Sequence, residues 1–372
     1  MSFSRSSLPV DLWIHEAFII PGAYPSPLLQ HIVPPEELPP LFDRIVASET
    51  SPKRTYWSLL REQLPQMVRI HKFKNLAEAG SIVLWPHEMH IYQERGMLES
   101  ITQLNRQILS SGRTPMTFTG YYSQYQEQPG EIVFSYGTFR SDKDIAIPTP
   151  AWMFDLGNSI TPISKPSIPT VGFVGCTQYT GDGVRVWRYL PIPEPLLYWS
   201  ACRFFVSKMR RGLRKKIGER LREATLQAAE RSPHLKTSLI RRNHWNFNLS
   251  EEQQVQEQRE YIQNLQNNAY ILCPRGAENY SFRLYETMSA GRIPVIIDTN
   301  MRLPDLGNLQ WSDFSVIVPC SKIHHLGEII QAFHDRLSQE EFDRMCQRSR
   351  AAFEYLLPHH FMLRYLQQLR SS

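Results

Sequence analysis

A chain of 372 residues, 42% hydrophobic and 21% charged, is long enough for two domains with separate cores and too apolar to be disordered. No apolar run approaches the ~20 residues of a membrane span, and the start, MSFSRSSLPVDLWIHE, lacks a signal-peptide core, so a cytoplasmic location is expected. The net charge of +5 divides unevenly, with 13 Lys/Arg against 16 Asp/Glu in residues 1–160 and 28 against 20 in residues 161–372, which predicts an anionic ligand on the C-terminal half.

In the N-terminal half, SIVLW, PMTFTGYY and EIVFSYGTF read as strands, with MLESITQLNRQILSS as a helix between the first two. Strands alternating with helices predict parallel βαβ units. The loop after SIVLW, PHEMH, carries His87, Glu88 and His90. Its histidines are three apart rather than four, so it is not the HExxH zinc pattern. The only DxD-like triplet, Asp142, Lys143 and Asp144, reads as a surface turn in preference to a metal site.

Five prolines between residues 147 and 170 forbid a long helix and mark an interdomain linker. The expected division is an N-terminal domain over 1–160, a C-terminal domain over 161–345, and a C-terminal helix over 346–372 that can pack back on the N-terminal domain. TVGFVGC then reads as the first strand of a new α/β domain. Residues 198–230 form the longest helical pattern, and from Lys208 to Arg222 it carries eight basic residues and one acidic one. That run is either a solvated helix face or a basic face touching an anionic membrane surface. Arg241 and Arg242 follow the strand KTSLI.

Residues 269–299, AYILCPRGAENYSFRLYETMSAGRIPVIIDT, parse as strand, loop, helix, strand, with Ser281 as N-cap and Gly291 as a left-handed stop. In such a unit the helix N-terminus offers free N–H groups to an anion. Arg275 and Arg283 lie at that end, and their forked guanidinium groups suit a diphosphate. Glu286, three residues after Arg283, could accept the hydroxyls of a ribose or simply pair with Arg283. The five cysteines, Cys176, Cys202, Cys273, Cys320 and Cys346, never form a CxxC and are expected to be reduced thiols.

The segment LCPRGAENYSFRLYETMSAGRIPVIID resembles the signature of exostosin-family glycosyltransferases, closely so from Cys273 to Asp298. KDIAIP and VGFVG extend the likeness more thinly. The resemblance implies a GT-B fold, two Rossmann-like α/β domains facing a central cleft, with the nucleotide-sugar donor in the C-terminal domain. It implies donor contacts at Arg275, Ser281, Arg283 and Glu286. Gly175, with Gly172, would let the opening loop approach the phosphates. Cys176 stands where many GT-B enzymes place a basic residue, so Arg185, or Arg241 with Arg242, would supply that charge. Helix dipole and arginines can stabilise a departing diphosphate without a metal or other cofactor. The base for an inverting transfer is expected in the N-terminal half, at His87 or Glu88, with Asp142 and Asp144 behind them. Glu278 and Glu286 form an E-x7-E like that of retaining enzymes, read here as coincidence.

The implied activity is transfer of a sugar from a nucleoside diphosphate, uridine-linked by preference, to a saccharide or lipid-linked saccharide in surface polysaccharide assembly. The enzyme would be cytoplasmic, at most peripheral to the inner face of the membrane through Lys208 to Arg222. A nucleotide-sugar epimerase or hydrolase, or a silent saccharide-binding scaffold, are the competing readings. A nucleic-acid partner is not expected, because the basic excess is modest.

Overall fold

The computed structural model describes residues 9–21, 23, 25, 26, 28, 29, 68–119, 125–141, 145–150, 155–177, 193–203, 211–243 and 249–371. The chain divides into two compact units, one of Met1–Tyr136, Asp142–Pro150 and Leu356–Ser372, the other of Gly137–Ser141 and Ala151–Tyr355.

The first unit is built on six parallel strands: β1 (Val10–His15), β2 (Val68–Phe73), β3 (Ile82–Leu84), β4 (Thr114–Thr119), β5 (Ile132–Ser135) and β6 (Ile147–Pro148). Their order is β2-β1-β3-β4-β5-β6. Helices α1 (Met89–Glu94) and α2 (Leu98–Ser110) connect β3 to β4, as parallel pairing of those strands requires. α2 turns Ile101 and Ile108 inward, where Ile101 packs with Trp85, Met89, Tyr92 and Tyr125. The C-terminal helix Pro358–Ser371 belongs to this unit, and Phe361 meets Phe134 of β5 edge-on.

A polar chain is sealed into the same core. Trp85 Nε1 donates to Asn105 at 2.8 Å, and Asn105 donates to Tyr125 at 2.6 Å and to Glu131 at 2.9 Å. Tyr125 donates to Glu131 at 2.6 Å. Burial pushes the Glu131 carboxyl up to about 7.

The second unit has five parallel strands: β7 (Thr170–Cys176), β8 (Lys236–Arg242), β9 (Tyr270–Cys273), β10 (Ile293–Asp298) and β11 (Val316–Pro319). They run in the order β11-β10-β9-β7-β8. Its helices are α3 (Glu194–Ala201), α4 (Arg211–Arg231), α5 (Glu251–Asn267), α6 (Phe282–Ser289), α7 (Leu326–Asp335) and α8 (Gln339–Tyr355). β9 is buried at all four positions and β10 at five of six, the continuous apolar reading of a parallel sheet covered on both faces. The expected α/β class, two parallel sheets, therefore holds in both units.

Both sheets share one logic of strand order. Chain growth reverses direction beside the first strand, between β1 and β3 in one unit and between β7 and β9 in the other. At such a switch point the loops leaving the two central strands part and open a crevice at their carboxyl ends, where α/β proteins bind ligands.

Candidate functional site

In the second unit, the crevice lies beyond Cys176 of β7 and Cys273 of β9. The segment following β9 folds as its sequence predicts: Ser281 takes the extended N-cap conformation, α6 runs from Phe282 to Ser289, and Gly291 has φ +59°. The Ser281 side chain makes no capping hydrogen bond. α6 is thus a short helix whose N-terminus opens beside the switch point.

Arg283, on the first turn of α6, reaches across to β7. Its guanidinium lies 4.1 Å over the Phe173 ring and donates to the Val174 carbonyl. Gly175 is the residue beneath it, since a Cβ there would collide with Arg283 Nη2. Gly172 serves packing instead. A Cβ there would meet Asn264 of α5 and Ile271 of β9, so its absence admits close helix and strand approach.

A second arginine converges on the same place. Arg222 of α4, 7% exposed, donates to the Cys176 carbonyl and, at 3.4 Å, to the Arg275 carbonyl. The Nε atoms of both Arg222 and Arg283 are buried without a hydrogen-bond partner, and neither residue has a carboxylate at ion-pair distance among the described residues. Burial lowers the Arg283 pKa, with the Arg222 charge acting in the same direction against Tyr261 and Glu286. α4 can come this close because Gly218 lies against the Gly276 carbonyl, where a side chain would clash.

This placement changes the reading of the basic run. Lys216 and Arg222 are 3% and 7% exposed, so these two members face inward and not toward a membrane surface. Residues 208–210 of the run lie outside the described residues. Arg222 sits on the carbonyl of Cys176. Its position on a helix remote in sequence carried no signal of this.

Arg275 is 3% exposed and donates to the Ala201 and Ala277 carbonyls at 2.8 and 3.0 Å, so it braces α3 against its own loop. Arg241 is clamped by Glu223 at 3.1 Å and Glu230 at 2.6 Å, which raise its pKa. Arg242 pairs with Glu257 and Glu260, both at 3.0 Å. The charge of this arginine pair is matched by carboxylates. Arg185 and the Asp142–Asp144 triplet lie outside the described residues. Glu286 accepts a hydrogen bond from Tyr261 of α5 at 2.5 Å.

In the first unit, the PHEMH loop leaves β3 at the switch point beside β1. His87 is 3% exposed, and its Nε2 accepts the Ile20 N–H at 2.9 Å. Glu88 is the N-cap of α1 and lies 3.2 Å from His90. Among the described residues no group of three His, Cys, Asp or Glu side chains could hold a metal, and no helix is long and apolar enough to cross a membrane.

The strand–loop–helix unit with Arg283 and Glu286 falls inside a matched family segment, residues 192–333, described as the exostosin GT47 domain. Residues 192–333 are similar to that family's domain. Among its relatives, "Probable glycosyltransferase At5g25310" of Arabidopsis thaliana is 34% identical over 83 residues, 22% of this chain and 16% of the relative. "Probable glucuronoxylan glucuronosyltransferase IRX7" of the same plant is 34% identical over 71 residues, 19% of this chain and 16% of the relative. The "Exostosin-1 homolog" of Caenorhabditis elegans is 36% identical over 59 residues, 16% of this chain and 15% of the relative. The exostosin match thus spans about a sixth of the length of these relatives. Among solved structures, a glycosyltransferase from Rickettsia africae ESF-5 is 10% identical, with 97% of both chains covered and a TM-score of 0.35. An alpha1,3-fucosyltransferase with GDP-fucose is 11% identical over 97% of this chain and 85% of its own, with a TM-score of 0.29.

Proposed function

We propose that this protein is a glycosyltransferase that moves a sugar from a nucleoside diphosphate, uridine-linked in our reading, to a hydroxyl of a saccharide or lipid-linked saccharide. The observation that carries the proposal is the convergence of Arg222 and Arg283 at the β7/β9 switch point, with Nε donors buried without a hydrogen-bond partner and no carboxylate at ion-pair distance among the described residues. Two like charges brought together away from water are unfavourable until an anion joins them. A diphosphate has the charge and the acceptor oxygens for two guanidinium groups.

In this reading the α6 N-terminus and the Ser281 hydroxyl complete the phosphate seat. Glu286, oriented by Tyr261, accepts ribose hydroxyls. Arg275 holds the loop in place behind the seat. The departing diphosphate is stabilised by these fixed charges, so the transfer needs no metal or added cofactor. For inversion, the acceptor oxygen forms its bond to the anomeric carbon as the carbon–phosphate oxygen bond breaks, and the acceptor proton passes to a base. Glu88 is assigned that proton, because the His87 Nε2 lone pair is already engaged by the Ile20 amide. Surface polysaccharide assembly is the setting that fits such a reaction, and the glucuronosyltransferase named among the relatives puts uronic acids on the donor panel.

The test is a panel of nucleoside diphosphate sugars, scored for nucleoside diphosphate release with and without saccharide acceptors, alongside calorimetric titration with UDP. Acceptor-dependent release that is lost in Arg283→Met is the expected result. Donor conversion without any acceptor would show an epimerase or hydrolase instead. Absence of UDP binding, unchanged by Arg283→Met, would falsify the donor site.

A further inference from the structure

Helix α3 is apolar on both of its sides. Leu197 and Ala201 pack inward with Ile217 and Leu221 of α4, in the core of the second unit. Leu196 and Trp199 turn the other way and keep 52% and 54% of their surface exposed. A helix face turned to water ordinarily carries charge. From Pro195 to Cys202 this helix carries none, so an apolar pair stands uncovered where solvated side chains are expected.

Arg203 extends the same stripe. Its N–H donates to the Ser200 carbonyl at 3.3 Å, which continues the turn past the Cys202 cap and keeps positions 196, 199 and 203 on one side. The residue is exposed, and its guanidinium lies 5.1 Å over the Trp199 ring. One side of α3 thus presents a leucine, a tryptophan and a cation held against that tryptophan.

The charge along this stretch selects what covers the stripe. From Pro195 to Gly218 the sequence holds seven Lys or Arg and no Asp or Glu, and of these Arg203 is exposed and Lys216 buried. Tryptophan and leucine beside arginine suit the boundary between lipid headgroups and acyl chains, where the indole takes the interface and the cation meets phosphate. Area argues against a second copy of the chain. Two half-exposed side chains offer no more than roughly 250 Å², far short of the ~800 Å² per partner of a stable interface.

We propose that the outer face of α3, through Leu196, Trp199 and Arg203, docks the second unit on a bilayer that displays anionic phospholipid. Leu196 and the Trp199 indole enter the headgroup boundary, and Arg203, kept beside the indole, pairs with a lipid phosphate. This face is distinct from the inward side of α4 that holds Lys216 and Arg222, and the proposal stands apart from the donor site.

The full-length protein is mixed with sedimentable vesicles of phosphatidylcholine alone and of phosphatidylcholine with phosphatidylglycerol, and the bound fraction is measured after centrifugation. The expected result is binding to the phosphatidylglycerol vesicles that weakens with salt, and little binding to phosphatidylcholine alone. Trp199→Ala and Leu196→Gln should each lower that binding by about tenfold, with thermal melts close to wild type because both side chains are half-exposed. Arg203→Gln should weaken the preference for phosphatidylglycerol. Wild-type binding by the double variant Leu196→Gln/Trp199→Ala overturns the proposal, as does absence of binding to the anionic vesicles. A wild-type dimer by light scattering that Trp199→Ala returns to monomer would assign the face to a second copy and overturn it as well.

Discussion

The Tyr261 hydroxyl donates to the Glu286 carboxylate at 2.5 Å, joining α5 to α6 beside the β7/β9 switch point. The hydroxyl is largely buried, and burial together with the Glu286 charge pushes its pKa up, so it remains a donor at any physiological pH. Hydrogen bonds to charged acceptors contribute about 1.5–3 kcal/mol. Tyr261→Phe is expected to weaken UDP binding roughly 10- to 100-fold with the fold intact by circular dichroism. An unchanged Kd would remove Glu286 from the ribose.

Two glycines of β7 separate packing from binding. Gly175→Ala pushes a methyl group against the Arg283 guanidinium, and we expect a large loss of UDP affinity with a small change in Tm. Gly172→Ala pushes its methyl group 2.5 Å from Asn264 Oδ1 and 2.9 Å from the Ile271 side chain, so it should lower Tm by several degrees. Titration calorimetry and thermal melts on both variants check the contrast, and equal effects would undo it.

Glu131 makes the first unit lose stability as pH rises. Its folded-state pKa is raised to about 7 from 4.5, so between those values the unfolded chain has released a proton that the folded chain keeps. Stability is full below pH 4.5, declines by up to about 3 kcal/mol toward pH 7, and then levels. Urea denaturation across this range should show the decline, and Glu131→Gln should flatten it.

Glu88 and His87 are predicted to fail differently. Glu88→Gln should lower kcat by about 100-fold or more with little effect on Tm, as removal of a general base does. His87→Ala opens a cavity at a buried ring and strips the Ile20 amide of its acceptor, a cost of about 1–3 kcal/mol that melts will register. Full turnover in Glu88→Gln would move the base elsewhere.

Much of the second unit was legible locally. The strand at Tyr270–Cys273, the N-cap at Ser281 and the left-handed Gly291 follow from short-range rules, because backbone preferences and capping act over a few residues. The first strand, β1, was not legible as one. VDLWIH mixes charged and apolar residues, and only pairing on both sides with β2 and β3 defines it as an inner strand.

By itself the sequence determined the α/β class, the basic second half and the helix start that carries Arg283 and Glu286. Only the tertiary structure decided what those charges do. It turned Arg275 into a brace and matched Arg241 with two carboxylates. From a run that read as a solvated helix face or a membrane-facing one, it brought Arg222 to the β7 strand end. The physical reason is range: helix caps and strand patterns act along the chain, whereas the value of a charge depends on neighbours tens of residues away and on how much water their packing leaves.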